Sequence, residues 1–209
     1  MIDRRVECLI PAAGLGSRLA GVDTLPKPLT LLNGRPLLLR AIENALAVCS
    51  RCVVVTGFRG AEVVEVLGKR PGVTIVRNDH YQQGMITSIA AGLEEVSTPW
   101  CFIAPADMPF LSPAVYRALL AAIPRAEVAQ PPQAAFPVLD GRRGHPVLVR
   151  TVLREQLAPW IQSHPTEPTM REFLRQFPLV DVPVDTADIF VDLDTPEQIA
   201  AALQRVAAT

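Results

Sequence analysis

Val6-Glu7-Cys8-Leu9-Ile10-Pro11-Ala12-Ala13-Gly14-Leu15-Gly16-Ser17-Arg18 is the stretch on which the reading of this chain turns. An apolar run of strand length over Val6–Pro11 breaks into small residues and then into a cation. Glycines at 14 and 16 let the backbone turn tightly and present N–H groups to an anion with no Cβ in the way. Two stricter phosphate loops are excluded. The dinucleotide fingerprint fails because its third glycine position is Leu19, and the next strand ends in Thr56-Gly57 with no acid to meet a ribose. A Walker A loop fails because no Gly-Lys-Ser/Thr comes after Gly14. There remains a glycine loop, with Arg18 directly behind it and Lys27 nine residues further on within Pro26-Lys27-Pro28. A guanidinium can fork onto two phosphate oxygens while an ammonium acts as a mobile point charge, which suits a triphosphate whose pyrophosphate must be held and released. The plainer alternative is a strand-to-helix turn with two solvated cations.

Beyond this stretch, apolar runs alternate with segments of helical period to the end of the chain, the pattern of a largely parallel sheet covered by helices. The runs predict strands near Val6–Pro11, Cys52–Thr56, Val73–Val76, Trp100–Pro105, Glu127–Gln130, Pro146–Val149, Leu179–Val182 and Ile189–Asp192. Helices are expected near Pro36–Val48, Gly60–Leu67, Gly84–Val96, Pro113–Ile123, Thr151–Leu157, Thr169–Phe177 and Pro196–Ala207. Ser112 before Pro113 and Thr195 before Pro196 read as helix caps. The 20 prolines concentrate in expected connections, among them Pro131-Pro132 and Pro159 through Pro168. With no linker or repeat in 209 residues, a single α/β domain over 1–209 is expected.

Composition removes several classes of function. With 20 Lys+Arg against 21 Asp+Glu the net charge is −1, so nothing draws the chain to nucleic acid or to an anionic membrane. At 49% hydrophobic residues it can bury a full core, which excludes disorder. No apolar run approaches the ~18 residues of a membrane helix, and no signal-peptide profile precedes Val6, so a cytoplasmic protein is expected. Of the four cysteines, Cys49 and Cys52 form a CxxC at the junction of a helix end and a strand. That position lacks the helix N-terminus that activates redox thiols, and no second pair completes a zinc site.

Four further stretches carry chemistry. In Phe102-Ile103-Ala104-Pro105-Ala106-Asp107-Met108-Pro109 an aspartate stands just past the carboxyl end of a buried strand, where open α/β sheets collect ligands. A carboxylate there can hold Mg²⁺, which takes one or two protein carboxylates and leaves its other positions to water and phosphate. In Ile189 through Glu197, read as a strand end, period two puts Asp192 and Asp194 on one side. Asp194 can instead serve the first turn of the next helix, so Asp192 is the preferred second ligand. Asn78-Asp79-His80-Tyr81-Gln82-Gln83-Gly84-Met85-Ile86-Thr87-Ser88 runs a polar loop into a helix start whose free N–H groups and hydroxyls can read a base or a ribose. Gly141-Arg142-Arg143-Gly144-His145-Pro146 sets cations and an imidazole before a strand, as a phosphorylated acceptor requires.

Taken in order, Ala12-Ala13-Gly14 with Ser17-Arg18, Lys27 with Pro28-Leu29, Asn78 through Ser88, Asp107-Met108-Pro109, Gly144-His145-Pro146 and Asp192-Leu193-Asp194-Thr195-Pro196 make the chain resemble the molybdenum cofactor nucleotidyltransferases. The likeness is strongest to their cytidylyltransferase and molybdenum hydroxylase accessory branch, and it covers nearly the whole chain. The resemblance implies a Rossmann-like nucleoside-diphospho-sugar transferase fold, a mostly parallel mixed sheet with helices on both faces. It implies an NTP held by Ala12, Ala13, Gly14, Leu15, Gly16 and Ser17, with Thr56, Asn78, Gly84, Met85 and Ser88 near the nucleotide. Arg18, Lys27 and Asp107 would be catalytic. Mg²⁺ would sit on Asp107 and Asp192, and Arg143, Gly144 and His145 would face the acceptor. Ala13, where the guanylyl-transferring branch typically has glycine, favours CTP. The activity implied is CMP transfer to the phosphate of molybdopterin, with a molybdenum hydroxylase as a protein partner. A sugar-phosphate or phosphocholine acceptor, and a non-catalytic cofactor carrier, stand as alternatives.

Overall fold

The computed structural model describes residues 6–14, 25–123, 130–164 and 168–207. β1 (Glu7–Ala12) lies between two layers, with Cys8, Ile10 and Ala12 buried in one core and Leu9 in the other. Beyond it come a small hairpin of β2 (Leu31–Leu32) and β3 (Arg35–Pro36), α1 (Leu37–Leu46), β4 (Arg51–Thr56), α2 (Gly60–Leu67) and β5 (Val73–Arg77). Next are α3 (Met85–Glu94), β6 (Trp100–Ile103), α4 (Pro113–Ala121), β7 (Ala134–Leu139), β8 (Arg142–Arg143) and β9 (Val147–Arg150). The chain continues through α5 (Arg154–Ser163), α6 (Met170–Leu174), β10 (Leu179–Pro183) and α7 (Pro196–Ala207).

The main sheet runs β10-β7-β9-β6-β1-β4-β5, with β8 on the side of β7. β1, β4, β5 and β6 pair in parallel, as do β7 and β10, while β9 opposes β6 and β7. Because β4 and β5 build to one side of β1 and β6 to the other, the strand order reverses between β1 and β6. A crevice at the carboxyl ends of two such strands is where α/β sheets bind ligands. One face is covered by α1, α2 and α4, through side chains such as Leu38, Ile42, Val63 and Tyr116. The other is covered by α3, α5 and α6, through Ile89, Leu157 and Phe173. α7 closes a third cluster with Ala202 against Leu32, Leu37 and Leu193. α1 shows why such helices form here: its buried positions Leu37, Leu38, Ala41, Ile42 and Ala45 repeat at helical spacing and make one apolar stripe.

At the amino end of β1, far along the strand from that crevice, Glu7 is 3% exposed. Its carboxylate accepts from the Arg51 guanidinium at 2.8 Å and from the Ser97 hydroxyl at 2.6 Å. Burial alone would raise its pKa, but the bonds from Ser97 and Arg51 outweigh it and hold the carboxyl below its ordinary value. A depressed carboxyl stabilises the fold above its unfolded pKa, and that contribution is lost as pH falls through the folded pKa. Glu7→Gln therefore costs about 2 kcal/mol at pH 7. In urea titrations the gap between variant and wild type closes as pH drops below the carboxylate range. A gap that stays constant with pH shows that the charge plays no part.

Several expectations need correction. Glu127, Val128 and Ala129 of the expected strand lie outside the described residues, and the strand that is seen in this region is β7, at Ala134–Leu139. Pro137 sits within it, but the ladder between β7 and β9 spans only Ala134 and Ala135, so a proline there interrupts little. Ile189–Asp192 is not a strand. Ala187–Phe190 forms a 3₁₀ turn at whose start the Asp188 N–H donates to the Thr186 hydroxyl. Pro159 is inside α5 rather than in a loop, where packing of Trp160 on Phe173 outweighs the missing N–H. Ser112 precedes α4 without a side-chain cap bond, whereas the Thr195 hydroxyl does accept from the Gln198 N–H at 3.3 Å. All four cysteines are buried free thiols. Among the described residues no helix is long and apolar enough to cross a membrane.

Candidate functional site

A cleft of about 220 Å³ opens at the carboxyl ends of β1 and β6, lined by Ala12, Gly14, Lys27, Met85, Asp107 and Asp194 among others. Lys27 is delivered to it by a short 3₁₀ turn at Lys27–Leu29, in which the Leu29 N–H donates to the Pro26 carbonyl at 2.7 Å. Prolines at 26 and 28 fix φ on both sides of the lysine, so its backbone has little freedom to lose. Asp107 comes after β6, behind Ala104-Pro105-Ala106. Its own carbonyl accepts from the Leu193 N–H at 3.1 Å, and this bond draws the segment after the 3₁₀ turn onto the β6 end. Asp194 consequently arrives beside Asp107, and the Lys27 ammonium donates to both carboxylates.

All three side chains are only 16–24% exposed, so solvent screens their charges weakly. Burial works against the Lys27 charge, yet the carboxylates of Asp107 and Asp194 outweigh it and raise its pKa. Asp192, by contrast, is exposed. The periodicity that favours it falls with the strand, and Asp194 is the residue brought to Lys27 and Asp107. The Asp194 N–H in turn donates to the Gln198 side chain at 2.7 Å, so the start of α7 anchors this aspartate.

The remaining expected residues divide into those at the cleft and those beneath it. Ala12 and Ala13 are buried and Gly14 is exposed, with no atom of the described residues within 4 Å of where its Cβ would stand. Leu15, Gly16, Ser17 and Arg18 lie outside the described residues. Met85, 65% exposed, heads α3 at the cleft, and Gly84 precedes it at φ +101°. Thr56, Asn78 and Ser88 are buried and bonded within the protein. The Thr56 hydroxyl donates to the Val76 carbonyl, and the Asn78 amide donates to the hydroxyls of Thr87 and Ser88, each at 2.9 Å. These three fix the loop that carries Gly84 and Met85.

On the expected acceptor side, Arg143 is paired with Asp181 of β10 at 2.6 Å and lies 4.8 Å over the Phe136 ring. Gly144 packs against the 3₁₀ turn: a Cβ there would stand 2.5 Å from the Ile189 carbonyl oxygen. The His145 N–H donates to that same oxygen at 3.0 Å. Burial lowers the His145 pKa against the opposing pull of Asp107 and Asp192. Its Nδ1 is buried with no hydrogen-bond partner among the described residues. Sequence reasoning misses Gly57, whose missing Cβ lets Tyr81 and Ala13 close to within 2.7–2.8 Å of that point. The available signal is Thr56-Gly57 itself, a glycine at a strand end beside the first loop.

Among the described residues no group of three His, Cys, Asp or Glu forms that could hold a metal. Asp107 and Asp194 are hard oxygen donors on one side of the cleft. Two carboxylates suit a cation such as Mg²⁺ that fills its other positions with water and phosphate, and they do not suit one that needs a full protein cage.

Residues 8–182 match the model of the MobA-like NTP transferase domain. The chain is 33% identical over 200 residues to a molybdenum cofactor cytidylyltransferase of Escherichia coli, with 96% of each chain covered. It is 28% identical to a molybdenum cofactor guanylyltransferase of Ralstonia nicotianae, covering 94% of this chain and 95% of the relative. Its fold superposes on a nucleotidyl transferase from Methanothermobacter with a TM-score of 0.75 at 22% identity, covering 98% of both chains.

Proposed function

Because this chain belongs to the MobA-like NTP transferase family, and is thus a nucleotidyltransferase, we propose that it transfers CMP from CTP to the phosphate of molybdopterin or its molybdenum-loaded form. The observation that carries the reading is the convergence of Lys27, Asp107 and Asp194 in one cleft beside Ala12–Gly14 and Met85. Identity of 33% to a cytidylyltransferase against 28% to a guanylyltransferase, together with the Ala13 position, supports CTP over GTP.

In the reaction an acceptor phosphate oxygen forms a bond to the α-phosphorus of the triphosphate, and the bond to the pyrophosphate oxygen breaks. A phosphate monoester already carries about −1.5 to −2 charge at pH 7, so no general base is required. The protein must supply alignment of two anions and compensation of the charge that builds on the leaving group. Lys27 and Arg18 would bind the triphosphate, Lys27 as a point charge and Arg18 as a fork. Asp107 with Asp194 would hold Mg²⁺, which when bound neutralises phosphate charge as a Lewis acid. Met85 and Gly84 at the head of α3 would face the nucleotide, and Gly144 and His145 would face the acceptor. Arg143 would reach an acceptor phosphate by exchanging its Asp181 partner. A cytoplasmic setting and delivery to a molybdenum hydroxylase belong to the same reading.

Calorimetry with CTP, GTP and ATP in turn, each with Mg²⁺, is the direct test. CTP is expected to bind at least about tenfold more tightly than the other two, a difference of ~1.4 kcal/mol. Tighter binding of GTP or ATP overturns the base assignment, and binding of none overturns nucleotidyl transfer.

A further inference from the structure

The ammonium of Lys27 rests on the two carboxylates that a divalent cation would need. An ammonium ion and a divalent cation compete for the same oxygens, and both cannot take Asp107 and Asp194 together at short range. Lys27 has the means to be either partner. Its stem is long and flexible while its backbone is clamped between Pro26 and Pro28, so the charged head can travel as the main chain stays still. We propose that Lys27 is a two-position cation: it occupies the Asp107–Asp194 pair until a nucleoside triphosphate arrives with its own divalent ion, and then transfers its ammonium to the phosphates. The inference rests on the nucleotidyl-transfer reading and adds an order to it, since metal enters with nucleotide and not ahead of it.

The physical argument is a balance of charge. Two carboxylates, 24% and 18% exposed and facing one another, repel unless a cation lies between them. Lys27 meets that need within the chain itself, so free Mg²⁺ has to displace a tethered competitor to bind. A triphosphate changes the balance by offering the ammonium about as much negative charge as it leaves. The cleft is then kept from trapping metal that no substrate accompanies.

The chain contains only two lysines, Lys27 and Lys69, which makes the switch observable in the wild-type protein. With ¹⁵N-lysine labelling, two side-chain ammonium signals are expected, and Lys69→Arg assigns them. Millimolar Mg²⁺ alone leaves the Lys27 signal unmoved. Mg²⁺ with CTP, or with whichever of CTP, GTP and ATP binds tightest, shifts it. If Mg²⁺ alone moves the signal as far as the nucleotide complex does, or if a nucleotide that binds by calorimetry leaves it in place, the proposal is overturned. In parallel, Mn²⁺ binding followed by electron paramagnetic resonance without nucleotide should be at least about tenfold tighter in Lys27→Met than in wild type. Equal affinity overturns the proposal as well. Should Lys27→Met not fold, the labelled wild type decides alone. Should none of the three nucleotides bind, nucleotidyl transfer falls, and the Mn²⁺ comparison still decides whether Lys27 holds metal away.

Discussion

Asp107→Asn melts with the wild type and loses about 10² to 10⁴-fold of its turnover in Mg²⁺ buffer, the scale of removing one charged contact to a developing phosphate anion. The two parts of that expectation have separate causes. Asparagine has the shape of aspartate and keeps an oxygen to accept from Lys27, while Asp194 still offers the ammonium a full carboxylate, so the fold has little reason to change. Asparagine cannot, however, give a metal the anionic oxygen that places it on the triphosphate. Pyrophosphate release measured beside thermal unfolding on the same preparation separates activity from stability, and turnover within twofold of wild type removes Asp107 from the chemistry. The companion variants discriminate between the two aspartates near 193. Asp194→Asn should fall within about tenfold of Asp107→Asn, whereas Asp192→Asn, at an exposed position, should lose less than about tenfold. The reverse order restores Asp192 as the second ligand.

Gly144→Ala is the larger expected effect on stability. A Cβ at 144 would stand 2.5 Å from the Ile189 carbonyl oxygen and 2.7 Å from its Cβ, so the obstacle is main chain and cannot swing aside as a side-chain tip can. Overpacking of this kind costs about 1–3 kcal/mol, which in a protein of this length lowers the melting temperature by roughly 3–10 °C. Activity should fall further than stability alone accounts for. The 3₁₀ turn at Ala187–Phe190 leads directly to Leu193, whose N–H holds the Asp107 carbonyl, and then to Asp194. A shift at Ile189 is therefore passed along the short backbone segment between them into the carboxylate pair. Gly141→Ala is the control: its φ is +75°, but nothing lies within 4 Å of the new methyl group, so it costs backbone strain without a loss of turnover. Equal melting of Gly144→Ala and wild type rules out the packing clash as a source of instability.

The residues legible from the sequence share a physical trait: their roles come from local order along the chain. Val6–Ala12 reads as a buried strand, and in a parallel sheet the residues just past a strand emerge at its carboxyl edge, so Ala12–Gly14 and Asp107 can be set at one edge from sequence alone. Lys27 can be tied to the same edge through its position behind the loop. The residues misread are those whose conformation is decided by distant partners. Ile189–Asp192 has strand composition, but the hydrogen bonds of this region go singly, from His145 to the Ile189 carbonyl and from Leu193 to Asp107, rather than to a ladder, and no local pattern encodes that. Local order ranks Asp194 behind Asp192, while the folded chain pairs Asp194 and Asp107 with Lys27. β7 is hidden by the prolines around it, and Pro159 by the expectation that proline marks a loop, a preference that the packing of Trp160 on Phe173 overrides. Asn78 and Ser88 are expected near the nucleotide because they are polar and near a helix start, and the structure shows that they also bond to each other. A buried amide holding a loop and one awaiting a base are spelled alike.

The four free thiols, at most 5% exposed, give this protein an internal clock for its own opening. Cys8, Cys49 and Cys52 lie in the layer beneath α1 and α4, and Cys101 lies in the layer on the opposite side of the sheet. A thiol reagent in solution can reach none of them in the closed state, so its rate of reaction reports how often each layer parts. When both layers part together, all four sulfurs are modified at one rate. When one layer opens alone, that rate divides in two, and the protein reveals which half of its interior yields first with no probe added to it.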